Sequence, residues 1–201
     1  MGFLQGSASF VRFSVEGQLP DNPLEFIAER IMAFSFKDID DTYDEYSIGW
    51  VSILNMFDSD FAYASYAAGD NIVLAMRADE RKVSPAILKK VVQKEEERIR
   101  KEKQLPKIGR ALKVEIKERV RTELTRKAIP IPSVFELYWN LSENTVTFFS
   151  TNGKSHAMLE DLFKDTFGLL LRQQIPYITA EALLDGQGIE KLAAVKPEIF
   201  N

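Results

Sequence analysis

The sequence predicts an α+β fold, in which antiparallel sheets are packed with helices and a two-helix basic hairpin projects from them. Three observations support this prediction. Apolar and polar residues alternate with the period of a strand near both ends of the chain, residues 84–128 have helical periodicity, and positive charge is concentrated in that central segment. With 201 residues, of which 45% are hydrophobic, the chain can bury one full core or two small ones.

Residues 1–83 are predicted to form an N-terminal α+β half. The segment Phe10–Val15 alternates as a strand does, whereas Pro23–Phe34 has apolar residues at helical spacing on one side. Further strands are predicted at Tyr46–Leu54, at Phe61–Ala67 and at Asn71–Arg77, and the last two are joined by a turn at Gly69 and Asp70.

Residues 84–128 are predicted to form a basic hairpin of two helices. Ser84-Pro85 is typical of a helix start, and the first helix is expected to end near Lys103. After a turn over Leu105–Gly109, a second helix ends near Arg126, before the proline-containing segment. Each helix has one narrow apolar stripe, enough for the pair to pack together, and about 20 residues would make an arm of about 30 Å.

Residues 129–178 are predicted to form a C-terminal ββα half, followed by a tail over residues 179–201. Val134–Leu141 and Thr145–Ser150 resemble a β-hairpin. Ser155 is expected to cap a helix that runs to about Arg172. The apolar side of that helix is predicted to consist of Leu159, Leu162, Phe163 and Leu170.

Composition limits the chemistry that the chain can perform. There is no cysteine and a single histidine, so a Cys/His zinc site is not expected, and the absence of disulfides fits a reducing cytoplasm. No apolar run reaches the roughly 18 residues that suggest a membrane span, and the first ten residues do not resemble a secretion signal. We therefore expect no membrane partner and no cofactor.

Charge is distributed very unevenly along the sequence. Residues 77–127 contain 18 of the 26 Lys and Arg but only 9 of the 30 Asp and Glu, a net charge of +9, while the rest of the chain carries −13. This asymmetry indicates a polyanionic partner. The alternative is a solvated helical surface with i,i+4 pairs such as Glu97–Lys101, but half of the positive charge has no such compensation.

The basic residues of the predicted hairpin form one stripe on each helix. At about 100° per residue, Lys90, Lys94, Arg98 and Lys101 fall within about 80° of one another, as do Arg110, Lys113, Lys117 and Arg121. The predicted contacts to DNA phosphates are these residues and the cations near the base of the hairpin: Arg77, Arg81, Lys82, Lys90, Lys94, Arg98, Lys101, Arg110, Lys113, Lys117, Arg121, Arg126 and Lys127.

Two motifs for other ligands are incomplete. Gly153–Ser155 could belong to a phosphate-binding loop, but Phe148 stands where that motif needs a glycine. The acidic run 38–45 could suggest a calcium loop, but Tyr43 and Gly49 occupy the positions of its turn glycine and its final glutamate. We interpret the first as a turn with a helix cap and the second as a solvated acidic loop.

Several segments follow one another as in a known family. The stretch Asn71–Pro85, with Ala-Met-Arg-Ala-Asp-Glu-Arg-Lys leading through Val-Ser-Pro into a charged helix, resembles a signature of RdgC, a family of bacterial recombination-associated DNA-binding proteins. Gly49–Val51 upstream, the helix pair Ile87–Lys127, the strand Phe135–Trp139 and the segment Leu169–Arg172 follow in the same order. The resemblance covers about residues 8–178.

The resemblance implies a cytoplasmic, nucleoid-associated protein that binds DNA without sequence specificity. It also implies a homodimer that encloses duplex DNA in a ring and restrains a RecA-type recombinase. RdgC proteins typically continue for about a further third, so we expect a short form that closes the ring less completely. Thr125–Pro130 matches the family's Pro-Arg-Ala-Phe-Ser-Arg only loosely, and the body is more acidic than a DNA-lining surface would be.

A dimer contact is predicted at the turn of the hairpin. Leu105 and Ile108 flank Pro106, and little else nearby could cover them. Exposed apolar side chains at the end of an arm are suited to a symmetric contact between two copies.

The prediction for function is non-sequence-specific binding of DNA, with duplex expected and no catalytic residues. One alternative is a magnesium-dependent nuclease, the activity with which the family has sometimes been labelled. Asp58 and Asp60, or the acidic run, could be combined with Lys82, but nothing in the spacing requires it, and His156 lies in no nucleophile motif. The other alternative is a protein-interaction module that uses the charged hairpin.

Trp50, Trp139 and Phe135 could stack on bases, but their alternation favours core packing.

Overall fold

A computed structural model describes residues 8–61 and 65–195. The elements it describes are β1 (Val11–Glu16), α1 (Pro23–Ala33), β2 (Tyr46–Val51), β3 (Ala67–Ala68), β4 (Asn71–Arg81), α2 (Pro85–Glu102), α3 (Arg110–Lys127), β5 (Pro130–Asn140), β6 (Thr145–Phe148), α4 (Gly153–Phe167), β7 (Leu170–Gln173), α5 (Pro176–Leu183) and α6 (Gly186–Ala194). The predicted α+β class is confirmed. Within the described ranges, no helix has the length and apolarity needed to cross a bilayer.

The strands form one antiparallel sheet rather than several. Their order is β2-β4-β5-β6-β1-β7, and β3 pairs with β4 beside this series. The longest ladder joins β4 to β5, from Asn71 opposite Asn140 to Arg81 opposite Pro130. The N-terminal and C-terminal halves of the sequence therefore share a sheet, and helices α2 and α3 connect its two longest strands.

The main core lies between one face of the sheet and helices α1 and α4. Trp50 and Trp139 are fully buried at its centre. The indole Nε1 of Trp50 donates to Thr166 Oγ1 at 2.9 Å, and the ring of Trp139 contacts those of Phe163 and Phe167 at centroid distances of 4.9 and 5.1 Å. Both tryptophans belong to the core, as their alternation predicts, and are not available to stack on bases.

Helix α4 differs from its prediction at both ends. Asn152 caps it, accepting from the backbone N–H of Lys154, so Ser155 lies inside the helix and is buried. At the other end Gly168 adopts a left-handed conformation with φ of 70° and stops the helix. Leu170 is consequently not on the apolar side of a helix. It begins β7, which pairs with β1.

Strands β4 and β5 both extend beyond their predicted ends, toward the hairpin. Pro130 and Pro132 end the preceding helix as predicted, yet they also belong to β5. Among the described residues, they lie where β5 pairs with β4 alone, because its pairing with β6 covers Leu137–Asn140. Proline is tolerated at such an edge. Of the strand predicted over Phe61–Ala67, residues 62–64 lie outside the described residues, and the strand there is the two-residue β3.

Gly49 provides a test of how closely the loop after α1 packs on β2. A Cβ atom at this position would lie 2.5 Å from the Cα and 2.6 Å from the N of Phe36. Backbone hydrogen bonds from Phe36 to Trp50 and from Trp50 to Phe34 hold the two segments together. We expect Gly49→Ala to lower the free energy of unfolding by about 1–3 kcal/mol in urea denaturation.

The matched control is Gly153→Ala. Its added Cβ has no heavy atom within 4 Å, and the residue starts α4, so the free energy of unfolding should stay within about 0.5 kcal/mol. Equal unfolding midpoints for the two variants would contradict the close approach of the loop.

Candidate nucleic-acid interface

The two helices of the hairpin pair through a small core of their own. Ile99, Ile108, Ile116 and Val120 are buried between α2 and α3, with leucines and valines of both helices around them. Each helix has 18 residues, which corresponds to a length of about 27 Å. The predicted pairing is confirmed, and projection of the hairpin from the body stays a prediction.

The turn of the hairpin does not present the apolar pair that the sequence suggested. Ile108 is 6% exposed and belongs to the hairpin core, and Leu105 is partly buried. The chain folds back tightly after α2, with the N–H of Leu105 donating to the carbonyl of Arg100. Ile108 is therefore not accessible as a dimer contact, because the two helices need it to close their own core.

Arg77, one of the predicted phosphate contacts, is buried in the structure. Its guanidinium forms a fork with the Asp79 carboxylate, with Nε and Nη2 donating at 2.9 and 2.7 Å. It also stacks on the ring of Phe36, at 4.2 Å from the centroid, and its Nη1 donates to the carbonyl of Met56. These contacts tie Phe36, which precedes β2, and Met56, which follows it, to β4, so Arg77 has a structural role and is not exposed to bind DNA.

Arg81 is also buried and acts as a connector. Its guanidinium donates to backbone carbonyl oxygens of Asp44 and Thr42 at 2.9 and 3.0 Å, and of Ile39 at 2.6 Å. It also donates to the carbonyl of Ala128, the residue that ends α3. Arg81 thus ties the acidic loop and the exit of the hairpin to β4, which removes it from the phosphate contacts.

The other predicted cations are exposed. They are Lys82, Lys90, Lys94, Arg98, Lys101, Arg110, Lys113, Lys117, Arg121, Arg126 and Lys127. Lys82 is paired with Glu80 at 3.0 Å, Arg98 with Glu95 at 2.6 Å and Lys113 with Glu96 at 3.4 Å. Arg126 lies over the ring of Tyr43. The remaining seven have no carboxylate partner among the described residues, so their charge is free to meet phosphates.

The two predicted stripes lie on opposite sides of the hairpin. One side carries the stripe of α3, where Lys117 shares a groove with Lys89 of α2, and the next groove brings Lys113 together with Arg100. The opposite side carries the stripe of α2, where Lys94, Arg98 and Lys101 face Arg119 and Glu123 of α3.

The side with Lys89 and Lys117 continues to the base of the hairpin. Pro85 and Leu88 border the groove that Lys89 and Lys117 share. They also border a second groove, which is lined by Lys82 and Arg121. We call this set of exposed cations the basic strip: Lys82, Lys89, Arg100, Lys107, Lys113, Lys117 and Arg121. Its grooves contain four carboxylates, from Glu45, Glu80, Glu96 and Glu97, and the last three pair with Lys82, Lys113 and Arg100. Four cations of the strip have no such partner among the described residues, so positive charge dominates: Lys89, Lys107, Lys117 and Arg121.

The opposite side of the hairpin is closer to neutral. Glu95 accepts from both Arg98 and Arg119, each at 2.6 Å, and this lowers the pKa of its carboxyl, chiefly through the hydrogen bond from Arg98. Glu97 and Glu123 line the same groove. This groove holds four cations and three carboxylates, a smaller excess of positive charge than along the basic strip, so this side is a weaker candidate for phosphate binding.

Lys89, Arg100 and Lys107 were missed by the sequence reasoning. A projection of each helix by itself favours the stripe that carries most cations on that helix. Antiparallel packing of α2 on α3 sets Lys89 and Arg100 beside Lys117 and Lys113, so the signal lay in projecting the two helices together.

The residues considered for other chemistry have local structural roles. Asp58 accepts from the backbone N–H groups of Asp60 and Phe61 at 3.1 and 3.2 Å and so shapes a turn. His156 Nε2 lies 2.9 Å from the carbonyl oxygen of Ser150. In the described part of the chain, no group of three or more His, Cys, Asp or Glu side chains is arranged to hold a metal ion.

A family model described as "Putative exonuclease, RdgC" matches residues 10–182, more than four fifths of the chain. No curated protein matches this chain.

The structural role of Arg77 can be tested by removing its guanidinium. Arg77→Met leaves the Asp79 carboxylate buried without its partner, so the free energy of unfolding should fall by about 3–5 kcal/mol in urea denaturation. Adding Asp79→Leu should recover most of the loss, because a buried ion pair can often be replaced by apolar side chains.

The exposed neighbour Lys82 supplies the control. Its pair with Glu80 is solvent-exposed, so Lys82→Met should change the free energy of unfolding by no more than about 0.5 kcal/mol. If Arg77→Met were as mild as Lys82→Met, Arg77 would not tie the segments before and after β2 to β4 as described.

Proposed function

The chain belongs to the RdgC family, and we propose that it binds duplex DNA without sequence specificity through the basic strip. Membership of the family supports a recombination-associated protein with a DNA-related partner. The observation that carries the proposal is the alignment of seven exposed cations along one side of the hairpin.

The chemistry of the strip suits phosphates rather than bases. Duplex DNA carries one negative charge per about 1.7 Å of its axis, so a strip about 27 Å long faces several phosphates at once. Lysines and arginines that neutralise phosphates position a protein on DNA without reading its sequence. The strip therefore supports binding that depends on charge and salt and is indifferent to sequence.

The acidic body restricts where DNA can lie. Outside residues 77–127 the chain carries −13, and its acidic loop is fixed beside the exit of α3 by the hydrogen bonds of Arg81. Phosphates that approach the carboxylates of the loop are repelled, whereas the strip attracts them. The charge distribution thus favours contact along the hairpin.

The finer properties implied by the family are further parts of the proposal. We propose a cytoplasmic, nucleoid-associated homodimer that restrains a RecA-type recombinase indirectly, by occupying the DNA. The dimer would need a contact other than Ile108, which is buried in the hairpin. The charged hairpin could instead dock on an acidic protein, and the dependence on DNA phosphates measured below distinguishes that alternative.

Charge reversal on the two sides of the hairpin tests the proposal. Lys89, Lys117 and Arg121 are exposed cations of the strip, and their joint change to Glu should weaken duplex binding at least about a hundredfold near 0.1 M salt in fluorescence anisotropy. If about six phosphates are neutralised, log K of the unaltered protein should fall with log salt with a slope near −5.

The matched control reverses Lys90, Lys94 and Lys101 on the stripe of α2. These three residues are equally exposed and change the net charge by the same amount, so a loss below about fivefold is expected if contact is local. Equal losses in both triple variants would show that net charge, and not the strip, determines binding. Undiminished binding by the strip variant would end the proposal.

We also propose that the protein is not an enzyme, although the description of its family names an exonuclease. Labelled single-stranded and duplex DNA incubated with Mg²⁺ or Mn²⁺ should stay intact, because the carboxylate of Asp58 accepts hydrogen bonds within a turn. Degradation that required the metal and disappeared in Asp58→Asn would support the nuclease instead.

A further inference from the structure

A pocket lies where the base of the hairpin meets the sheet. Tyr46, Glu80 and Ile131 are paired across the neighbouring strands β2, β4 and β5 and line it together. Leu88 of α2 and Arg121 of α3 line it from the hairpin. The pocket thus combines side chains from three strands and both helices, and it adjoins the basic strip.

Part of the apolar surface that lines the pocket is exposed to solvent. The side chains of Tyr46 and Ile131 are 44% and 51% exposed. Glu80 between them pairs with Lys82 at 3.0 Å and with Lys154 at 3.3 Å, and these cations lower the pKa of its carboxyl, chiefly through the hydrogen bond from Lys82. Its negative charge is compensated and does not repel a nearby phosphate.

Tyr46 is suited to contact a flat aromatic ligand. Partial burial, and then the charges of Glu80 and Asp161, raise the pKa of its phenol, so the side chain stays neutral. Glu45 also lines the pocket and has no ion pair among the described residues. A carboxylate of this kind accepts hydrogen bonds from the amino groups of nucleobases.

We infer that this pocket receives an unpaired base of a DNA strand whose phosphates lie on Lys82 and Arg121. The inference rests on the proposed function and names a preferred form of DNA for the same surface. Two features select this occupant: the cations that border the pocket belong to the basic strip, and the aromatic side chain of Tyr46 lines the same pocket. Base–aromatic contact tolerates any sequence, which agrees with non-specific binding.

The test compares forms of DNA that differ in their bases but not in their phosphates. The full chain is titrated with a paired duplex, with the same duplex carrying an internal bulge of unpaired nucleotides, and with that bulge made of abasic nucleotides. We expect the bulge with bases to bind about five- to tenfold more tightly than the abasic bulge. Tyr46→Leu should bring that ratio close to one, while its affinity for the paired duplex stays unchanged.

Tyr177→Leu is the matched control, since Tyr177 has a similar exposure of 48% but lies on α5, away from the pocket. Its ratio should equal that of the unaltered protein. Ile131→Ser is a second pocket variant, should Tyr46→Leu fold poorly, and it should also reduce the ratio.

A ratio of one in the unaltered protein, with the paired duplex still bound, would overturn this inference and leave the proposed function standing. Loss of binding to every form of DNA would instead overturn the proposed function.

Discussion

The ladder between β4 and β5 is the contact on which the other parts of the structure depend. It pairs eleven residues on each strand and joins the two halves of the chain into one sheet. On one face its side chains, among them Leu74 and Leu137, enter the main core. On the other face Arg77 binds the segment that follows β2, and Arg81 binds the acidic loop that precedes it. At one end of this ladder, the start of α2 and the end of α3 lie side by side. Strand pairing therefore positions the candidate nucleic-acid interface.

The same ladder explains why charge alone did not identify phosphate contacts correctly at Arg77 and Arg81. Arg77, Asp79 and Arg81 alternate along β4 and therefore share a face, where the segments before and after β2 bury them. An arginine that is matched by a carboxylate and by backbone carbonyls contributes to the fold and not to a surface field. The alternation was visible in the sequence, but the burial of this face by those segments is a tertiary feature.

Local signals predicted most elements, and tertiary pairing changed the rest. The Ser84-Pro85 start of α2 and the apolar stripes of the hairpin follow from local chemistry, and they are confirmed. Leu170–Gln173 continued a helical pattern, yet a left-handed Gly168 and pairing with β1 make it a strand. The basic strip could not be drawn from single helices, because which lysines share a side depends on how α2 packs against α3. The pocket at Tyr46 was missed for a similar reason, since strand pairing brings its lining residues together.

Because positive and negative charge are separated along the chain, a protein with a net negative charge is still a candidate for binding a polyanion. The net charge of −4 would oppose association with DNA if it were spread evenly. Here the hairpin core keeps the cations of α2 and α3 on a surface of their own, while Arg81 anchors the acidic loop by its backbone, which leaves the carboxylates of that loop exposed. At about 0.15 M salt the screening length is near 8 Å, so a phosphate on the strip senses the nearest lysines more strongly than the distant body. Local geometry, more than total charge, therefore determines what this surface can bind, and the proposed binding of DNA should accordingly depend on salt and be confined to one side of the hairpin.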